Sequence, residues 1–171
     1  MWGVYQMLAV IRVRGSTGMR PQAVKTAELL RLHKINHLVL LEDNEVYRSM
    51  LQKVKDYVTW GEVDQETLQL LLKHRARLRG RKPLPEDHLK EAAGYANFST
   101  LAKALIGGKV KYTEIKDIVP VIRLHPPRGG YEYIRKNYQQ GGTTGYRGEK
   151  INALIRKMIL PGVDLNGKNE N

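Results

Sequence analysis

The residues with the most evident chemistry form a run of cations. Between Lys73 and Lys82 there are six lysine and arginine side chains and no carboxylate. The dipole at a helix C-terminus stabilises a cation by about 0.3 to 1 kcal/mol, which accounts for one or two of the six. Repulsion among the others is relieved when they neutralise a polyanion. The run therefore predicts phosphate contact, with a merely solvated face as the alternative. The candidates are Arg75, Arg77, Arg79, Arg81 and Lys82.

A second stretch, from His125 to Gly148, interleaves glycine, tyrosine and cations and has few aliphatic residues. Such a segment cannot bury its own backbone, but it can follow an RNA surface, with tyrosines stacked on bases and cations paired with phosphates. A long irregular loop is usually either functional or disordered, and we favour contact with nucleic acid. The candidates in and beside this loop are Arg123, His125, Arg128, Tyr131, Arg135, Lys136 and Arg147.

A third cationic feature lies near the start of the chain. Apolar and basic residues alternate over residues 8 to 15, so Arg12 and Arg14 share one face of a predicted strand. A glycine-containing turn follows and leads to Arg20. Loose backbone and guanidinium groups both suit a bound anion, so this turn is a candidate phosphate site. The alternative is that both strand arginines are simply solvated.

Motifs for catalysis, cofactors and metals are weak by comparison. His33 and His37 are four residues apart, but they fall in a break between elements and lack a third ligand. Around Lys109 the phosphate-loop pattern fails, because Val110 stands where serine or threonine is required. Cysteine is absent, which excludes disulfides, thiolate chemistry and Cys-based zinc sites. We predict no catalytic residue, metal, cofactor or small-molecule substrate.

The charge balance of the chain points to a polyanionic partner. It has 29 Lys and Arg against 17 Asp and Glu, a net charge of +12. Residues 1 to 64 carry only +2 of this, whereas residues 65 to 82 carry +5 and residues 109 to 160 carry +7. No apolar run approaches the roughly 20 residues of a membrane span, and the N-terminus does not resemble a secretory signal. We predict a cytoplasmic protein without a membrane partner.

Residues 8 to 62 predict strand, helix, strand, helix, strand. Pro21 suits the first turn of a helix, whose apolar stripe continues to about Leu32. The apolar run at 38 to 41 is a short buried strand, Asp43 or Asn44 caps the second helix, and residues 59 to 63 are the third strand. Two helices between three strands imply a split sheet with both helices on one face. The other face is expected to be free, and the two strand arginines could line it.

The remaining elements follow from caps, prolines and periodicity. Asp64 caps a helix over 65–78, and Pro83 and Pro85 form a linker. Short helices are predicted over 86–93 and 99–106, an edge strand over 118–124 and a last helix over 149–160. Ser99 is the expected cap of the second short helix; the residues before Met7 should extend the first strand, and the tail from Asn166 should fray. The predicted parts are a split α/β core with an antiparallel sheet (1–64), a basic helix and linker (65–82) and a C-terminal subdomain (83–171).

Five segments, taken in order, resemble a known family. They are LAVIRVRGSTG at 8–18, HKINH at 33–37, YRSMLQKVKDYVTWGEV at 47–63, RLHPPRGGY at 123–131 and GYRGEKINALIRKM at 145–158. Together they resemble the universal large-subunit ribosomal protein numbered thirty in bacteria and archaea and seven in eukaryotes, in its long archaeal form. One departure is Ser49, where the family usually carries glycine.

The resemblance implies an α+β fold with a ferredoxin-like strand-helix-strand-helix-strand core and a mainly helical C-terminal extension. It also implies a structural constituent of the large ribosomal subunit, in the cytoplasm, that binds rRNA through the basic helix end and loops and has neighbouring ribosomal proteins as partners. Lys34 and Asn36 join Arg14 and Arg20 as matches to the family's loop residues. The alternatives are a stand-alone RNA-binding processing or regulatory factor and an enzyme on a split sheet.

Overall fold

The computed structural model describes residues 7–160, so the predictions for the residues before Met7 and for the tail from Asn166 lie outside it. The strands are β1 (Met7–Arg12), β2 (His37–Glu42), β3 (Val58–Glu62), β4 (Arg77–Leu78), β5 (Lys82–Pro83), β6 (Ile122–Arg123), β7 (Tyr133–Asn137) and β8 (Gly142–Tyr146). The helices are α1 (Pro21–Leu29), α2 (Glu45–Lys53), α3 (Gln65–His74), α4 (Leu89–Ala92), α5 (Phe98–Ile106) and α6 (Ile151–Met158). The fold is α+β with a mixed sheet.

The largest sheet contains six strands in the order β6-β2-β1-β3-β8-β7. Its centre is the predicted strand-helix-strand-helix-strand unit, in which β1 pairs antiparallel with both β2 and β3. Pro21 begins α1 as expected, but the helix ends at Leu29 rather than near Leu32. The predicted cap of α2 is confirmed, since Asn44 Oδ1 accepts a hydrogen bond of 2.9 Å from the Tyr47 amide.

The expectation of a free sheet face is wrong, because every residue of β1 is buried. On one face, Leu8 and Val10 pack with the apolar residues of α1 and α2. On the other face, Ala9 and Ile11 join a second cluster formed by residues of α3, α5 and α6. Side chains alternate between the two faces of a strand, so a strand buried along its whole length is covered on both sides. The later helices provide the second cover.

Most of the cationic run lies beyond the end of the helix. The Asp64 cap is confirmed by a 2.7 Å hydrogen bond from the Thr67 amide, but α3 stops at His74 instead of Leu78. The chain then forms the hairpin of β4 and β5, whose connection contains left-handed residues at Gly80 (φ 81°) and Arg81 (φ 62°). The expected linker at Pro83 is therefore a short strand.

The segment predicted as an irregular loop is partly a sheet. Strand β8 pairs in parallel with β3, with Thr59 opposite Gly145, and β7 pairs with β8 in an irregular register. The edge strand near Pro120 is confirmed as β6, which pairs with β2. The cap of α5 is Asn97 rather than Ser99, because Asn97 Oδ1 accepts a 2.9 Å hydrogen bond from the Thr100 amide.

The last helix is packed tightly against β3. A Cβ atom on Gly61 would lie 1.9 Å from the carbonyl oxygen of Gly148, so only glycine permits this approach. The predicted apolar face of α6 is buried, and Asn152 Oδ1 accepts a 2.9 Å hydrogen bond from the Asp64 amide. Strands and helices from the last third of the chain thus complete the sheet and its core, while the division at residues 64 and 82 stays a prediction. Within residues 7–160, no helix is long and apolar enough to cross a membrane.

Candidate nucleic-acid interface

Several of the candidate residues meet at the edge of the sheet that β6 forms. The antiparallel pairing sets Arg123 of β6 opposite His37 of β2. Arg75 reaches the same edge, where its Nε donates a 2.7 Å hydrogen bond to the Arg123 carbonyl and its Nη1 lies 3.2 Å from His125 Nε2. We call these residues the β6 edge cluster; its members are Arg75, Arg123, His37, His125, Lys34, Asn36 and Tyr131. Arg123 and Lys34 are exposed, whereas the other four candidates are partly buried.

Hydrogen bonds of Asn36 and Tyr131 link the segments that meet at this edge. Asn36 has a left-handed backbone (φ 68°), which asparagine tolerates better than most residues. Its amide donates to the Arg12 carbonyl at 2.8 Å, and its carbonyl accepts from the Leu124 amide at 3.1 Å. The Tyr131 hydroxyl donates to Asn36 Oδ1, and burial raises the pKa of Tyr131 above its usual value. Both side chains are thus engaged within the protein.

The β6 edge cluster has an excess of positive charge. The pKa of His37 is lowered by burial and by the nearby charges of Arg123, His33 and Lys34, among others. The pKa of His125 is lowered by burial and by Arg75. Protonation of either imidazole is therefore unfavourable at this edge. The same environment favours an approaching anion.

The hairpin of β4 and β5 presents a second group of cations. Arg79, Arg81 and Lys82 are exposed, and Arg77 is partly buried. The hairpin is fixed to the chain that follows, because the Arg79 amide donates to the Asp117 carbonyl and the Val119 amide to the Arg77 carbonyl, both at 2.9 Å. A short hairpin anchored at its base can present its three exposed cations without rearrangement.

A third group surrounds the turn after β1. Arg20 lies on a groove of about 530 Å³ whose other lining residues include Lys53, Lys55 and Tyr57. Arg14 lies beside this groove, because its guanidinium is 5.2 Å from the centre of the Tyr57 ring. The two lysines were not among the sequence candidates. Lys53 ends α2 and Lys55 follows it, and their place in the sequence shortly before Tyr57 is the signal that could have indicated them.

The fourth group is the exposed strand β7, at the sheet edge opposite β6. Arg135 and Lys136 both lie on this strand and are exposed. Arg128 is exposed as well, in the segment between the two edges. The structure therefore does not gather the candidates at one place. It distributes them over the two edges of the sheet, the hairpin and the turn after β1.

Two candidates are buried, and the expectation that they present charge at the surface is wrong. Arg12 is only 3% exposed, and its guanidinium donates to the carbonyls of Leu32 and Arg14 at 2.6 and 2.9 Å. Arg147 is 6% exposed, and it donates to Thr59 Oγ1 and to the Thr143 carbonyl at 2.8 and 2.7 Å. Each guanidinium loses its hydrogen bonds to water but donates to several protein acceptors instead, which offsets the free-energy cost of its burial. Burial also lowers the pKa of each.

No group of three or more His, Asp or Glu side chains that could hold a metal ion occurs among residues 7–160. The grooves of this part of the chain are open at the surface rather than enclosed. The arrangement suits neutralisation of an extended anion by dispersed cations.

Comparison with known proteins gives a consistent result. The sequence model of ribosomal protein L30p/L7e matches residues 8–58. Large ribosomal subunit protein uL30 of Thermoplasma acidophilum is 64% identical over 165 residues, which are 96% of this chain and 100% of that protein. The protein of the same name from Thermoplasma volcanium is 59% identical with the same coverage. That from Methanobrevibacter smithii is 46% identical over 90% of this chain and 100% of its own.

Proposed function

Because the chain belongs to the ribosomal protein L30p/L7e family, we propose that it is a structural constituent of the large ribosomal subunit that binds rRNA. The observation that carries this proposal is the 64% identity, over 96% of the chain, to a protein named as a large ribosomal subunit protein. It is not an enzyme, and its place is the cytoplasmic ribosome. Neighbouring ribosomal proteins are further partners. No relative described above supports a stand-alone processing factor.

The exposed cations are the proposed rRNA contacts. They neutralise phosphates and recognise the shape of the RNA rather than its sequence, as dispersed charges on several surfaces are suited to do. The contacts are Arg20, Lys34, Arg79, Arg81, Lys82, Arg123, Arg128, Arg135 and Lys136, with contributions from the partly buried Arg14, Arg75, Arg77 and His125. Arg12, Asn36, Tyr131 and Arg147 act by positioning the loops that carry these cations.

The finer description of the fold belongs to the same proposal. The order strand, helix, strand, helix, strand, with β1 between its antiparallel partners, supports a ferredoxin-like core. Helices α4, α5 and α6 support a largely helical C-terminal extension, to which β6, β7 and β8 add sheet. In this view the core is the scaffold, and the hairpin segment and the extension together supply most of the binding surface.

Co-sedimentation tests the function. Purified protein is added to large subunits depleted of it by a high-salt wash, and the pellet is assayed over a range of KCl concentrations. We expect saturable binding that persists in mild salt and that an excess of short unrelated RNA does not displace. The proposal fails if the protein leaves the subunits in mild salt and binds unrelated RNA equally well.

A further inference from the structure

Strand β7 is an unusual surface, because all five of its residues are exposed although it belongs to a sheet. It is the last strand in the order, so one of its edges has no strand beside it in the described part of the chain. Tyr133 is 61% exposed and Ile134 is 40% exposed, and both are among the few large apolar side chains that reach the surface. Because successive side chains of a strand point to opposite faces, the two expose apolar area on different faces of β7. The Tyr133 ring is the larger and more exposed of the two, and it leaves apolar area for a partner to cover.

The other tyrosines of this region are engaged in the fold. The Tyr131 hydroxyl is bonded to Asn36, and the Tyr146 hydroxyl donates to Glu62 Oε1 at 2.6 Å. The ring of Tyr138 is covered by the Arg147 guanidinium, 4.8 Å from its centre. Tyr133 differs from all three, because its ring stands away from the core. The flexible side chain of Lys136 approaches it, with Nζ 5.6 Å from the ring centre.

The charges on and near β7 specify the partner. Arg135 and Lys136 are exposed on the strand itself. The neighbouring carboxylate of Glu132 is neutralised, since its Oε2 lies 3.6 Å from Arg147 Nη2 and accepts a 3.1 Å hydrogen bond from Thr143. Cations on an edge strand discourage a further protein strand from pairing with it. A flat aromatic ring on the same strand as two exposed cations instead fits a base with its neighbouring phosphates.

We propose that β7 is a platform for a single-stranded segment of rRNA, on which Tyr133 stacks against an unpaired base. Arg135 and Lys136 bind the phosphates on either side of that base. The platform rests on the proposed function and adds to it a residue, Tyr133, that distinguishes unpaired bases from paired ones. Stacking on Tyr133 is insensitive to salt, whereas phosphate neutralisation by Arg135 and Lys136 releases counterions and depends on salt.

The test uses the full chain and an oligouridylate of about twelve nucleotides with one central 2-aminopurine, a length within the usual range of single-strand sites. Stacking on Tyr133 should quench the 2-aminopurine fluorescence. Tyr133→Ala should abolish the quenching and weaken binding roughly tenfold without changing the slope of log affinity against log salt. Lys136→Gln should lower that slope by about 0.7 and retain the quenching. Tyr133→Phe should behave as the wild type, and Ile134→Ala is the matched control on the same strand.

Unchanged affinity and quenching in Tyr133→Ala would overturn the platform. So would a loss in which Tyr133→Phe is as weak as Tyr133→Ala, because the hydroxyl would then be the important group. Co-sedimentation with depleted large subunits separates this failure from a failure of the function. If the wild type binds subunits and Tyr133→Ala shows no defect on the oligomer, only the platform is wrong; if the wild type does not bind subunits, the proposed function itself is wrong.

Discussion

The Nε atom of Arg147 donates a hydrogen bond of 2.8 Å to the Oγ1 atom of Thr59, which lies 88 residues earlier in the chain. Thr59 Oγ1 in turn donates to the Gly145 carbonyl at 2.9 Å. The two side chains therefore join β3 to β8 by bonds that add to the backbone pairing of these strands. An arginine that the sequence suggested as an RNA contact is part of the interior.

Replacing Arg147 by methionine should lower the free energy of unfolding by about 3 kcal/mol. The substitution keeps an aliphatic side chain but removes the buried donors to Thr59 and Thr143, and each charged hydrogen bond contributes about 1.5 to 3 kcal/mol. Urea denaturation of the variant and the wild type measures the loss. Arg128→Met, at an exposed arginine, should change the stability by less than about 0.5 kcal/mol. Equal unfolding midpoints for both variants would contradict the structural role of Arg147.

Replacing Gly61 by alanine should destabilise the protein by about 3 kcal/mol or more. The new methyl group would lie 1.9 Å from the Gly148 carbonyl oxygen, so β3 and the chain entering α6 must move apart. Gly15→Ala is the matched control, because a Cβ atom there meets only Ile35 Cδ1, at 3.9 Å. Thermal unfolding followed by circular dichroism compares the two. A Gly61→Ala variant as stable as the control would refute the close approach.

Substituting the three exposed hairpin cations by glutamine should weaken binding to large-subunit rRNA and flatten its salt dependence. Each lost phosphate contact lowers the slope of log affinity against log salt by about 0.7 to 0.9, so loss of Arg79, Arg81 and Lys82 together lowers it by roughly 2 to 3. The unfolding midpoint should not change, since none of the three side chains is buried. Filter binding at several salt concentrations gives the slope.

The control for the hairpin substitution is a triple variant of equal charge. Lys25, Lys90 and Lys103 are exposed on α1, α4 and α5, and none of them is a proposed contact. Their replacement by glutamine should leave the slope nearly unchanged. A similar decrease in both triple variants would mean that net charge, rather than the hairpin, determines the affinity.

His37 should make the folded state less stable in mild acid. Its folded pKa is lowered, mainly by burial and then by Arg123, while the unfolded value is about 6.5. The unfolded chain therefore takes up the proton more readily, so the stability linked to His37 is complete above about pH 6.5 and declines as the pH falls toward the folded pKa. His37→Gln should reduce the loss of unfolding free energy between about pH 7.5 and about 5.5. A variant with the same pH dependence as the wild type would contradict this.

Several helices could be predicted from sequence because their signals are local. Pro21 marks the start of a helix, Asn44 and Asp64 cap two others, and the apolar stripe of α6 is the buried face that was expected. Each of these features depends on neighbours within a few residues. The free sheet face was predicted wrongly because the cover for β1 comes from helices far along the chain, and no local pattern of β1 shows it.

The site was harder to predict because burial of an arginine depends on distant acceptors. Alternation correctly placed Arg12 in a strand, but the carbonyl of Leu32 that receives its guanidinium is 20 residues away. Glycine and tyrosine in residues 125–148 suggested a loop, whereas the close approach of β7 and β8 is possible only because Gly142 has no Cβ atom. Composition identified the cationic segments, and it could not distinguish the side chains that face solvent from those that hold the fold.

The pairing of β3 with β8 and the adjacent contact between Gly61 and Gly148 also limit the order in which the chain can fold. Strands β1, β2 and β3 can pair once the first 62 residues are available, but β3 acquires its second neighbour only when residues 145–146 have been made. The hydrogen bond from the Asp64 amide to Asn152 forms later still, because Asn152 lies in α6. Contacts of such long sequence separation form slowly. The apolar face of the sheet beneath α6 thus stays open to solvent until residues 151–158 have been made, and the packing of α6 then closes it.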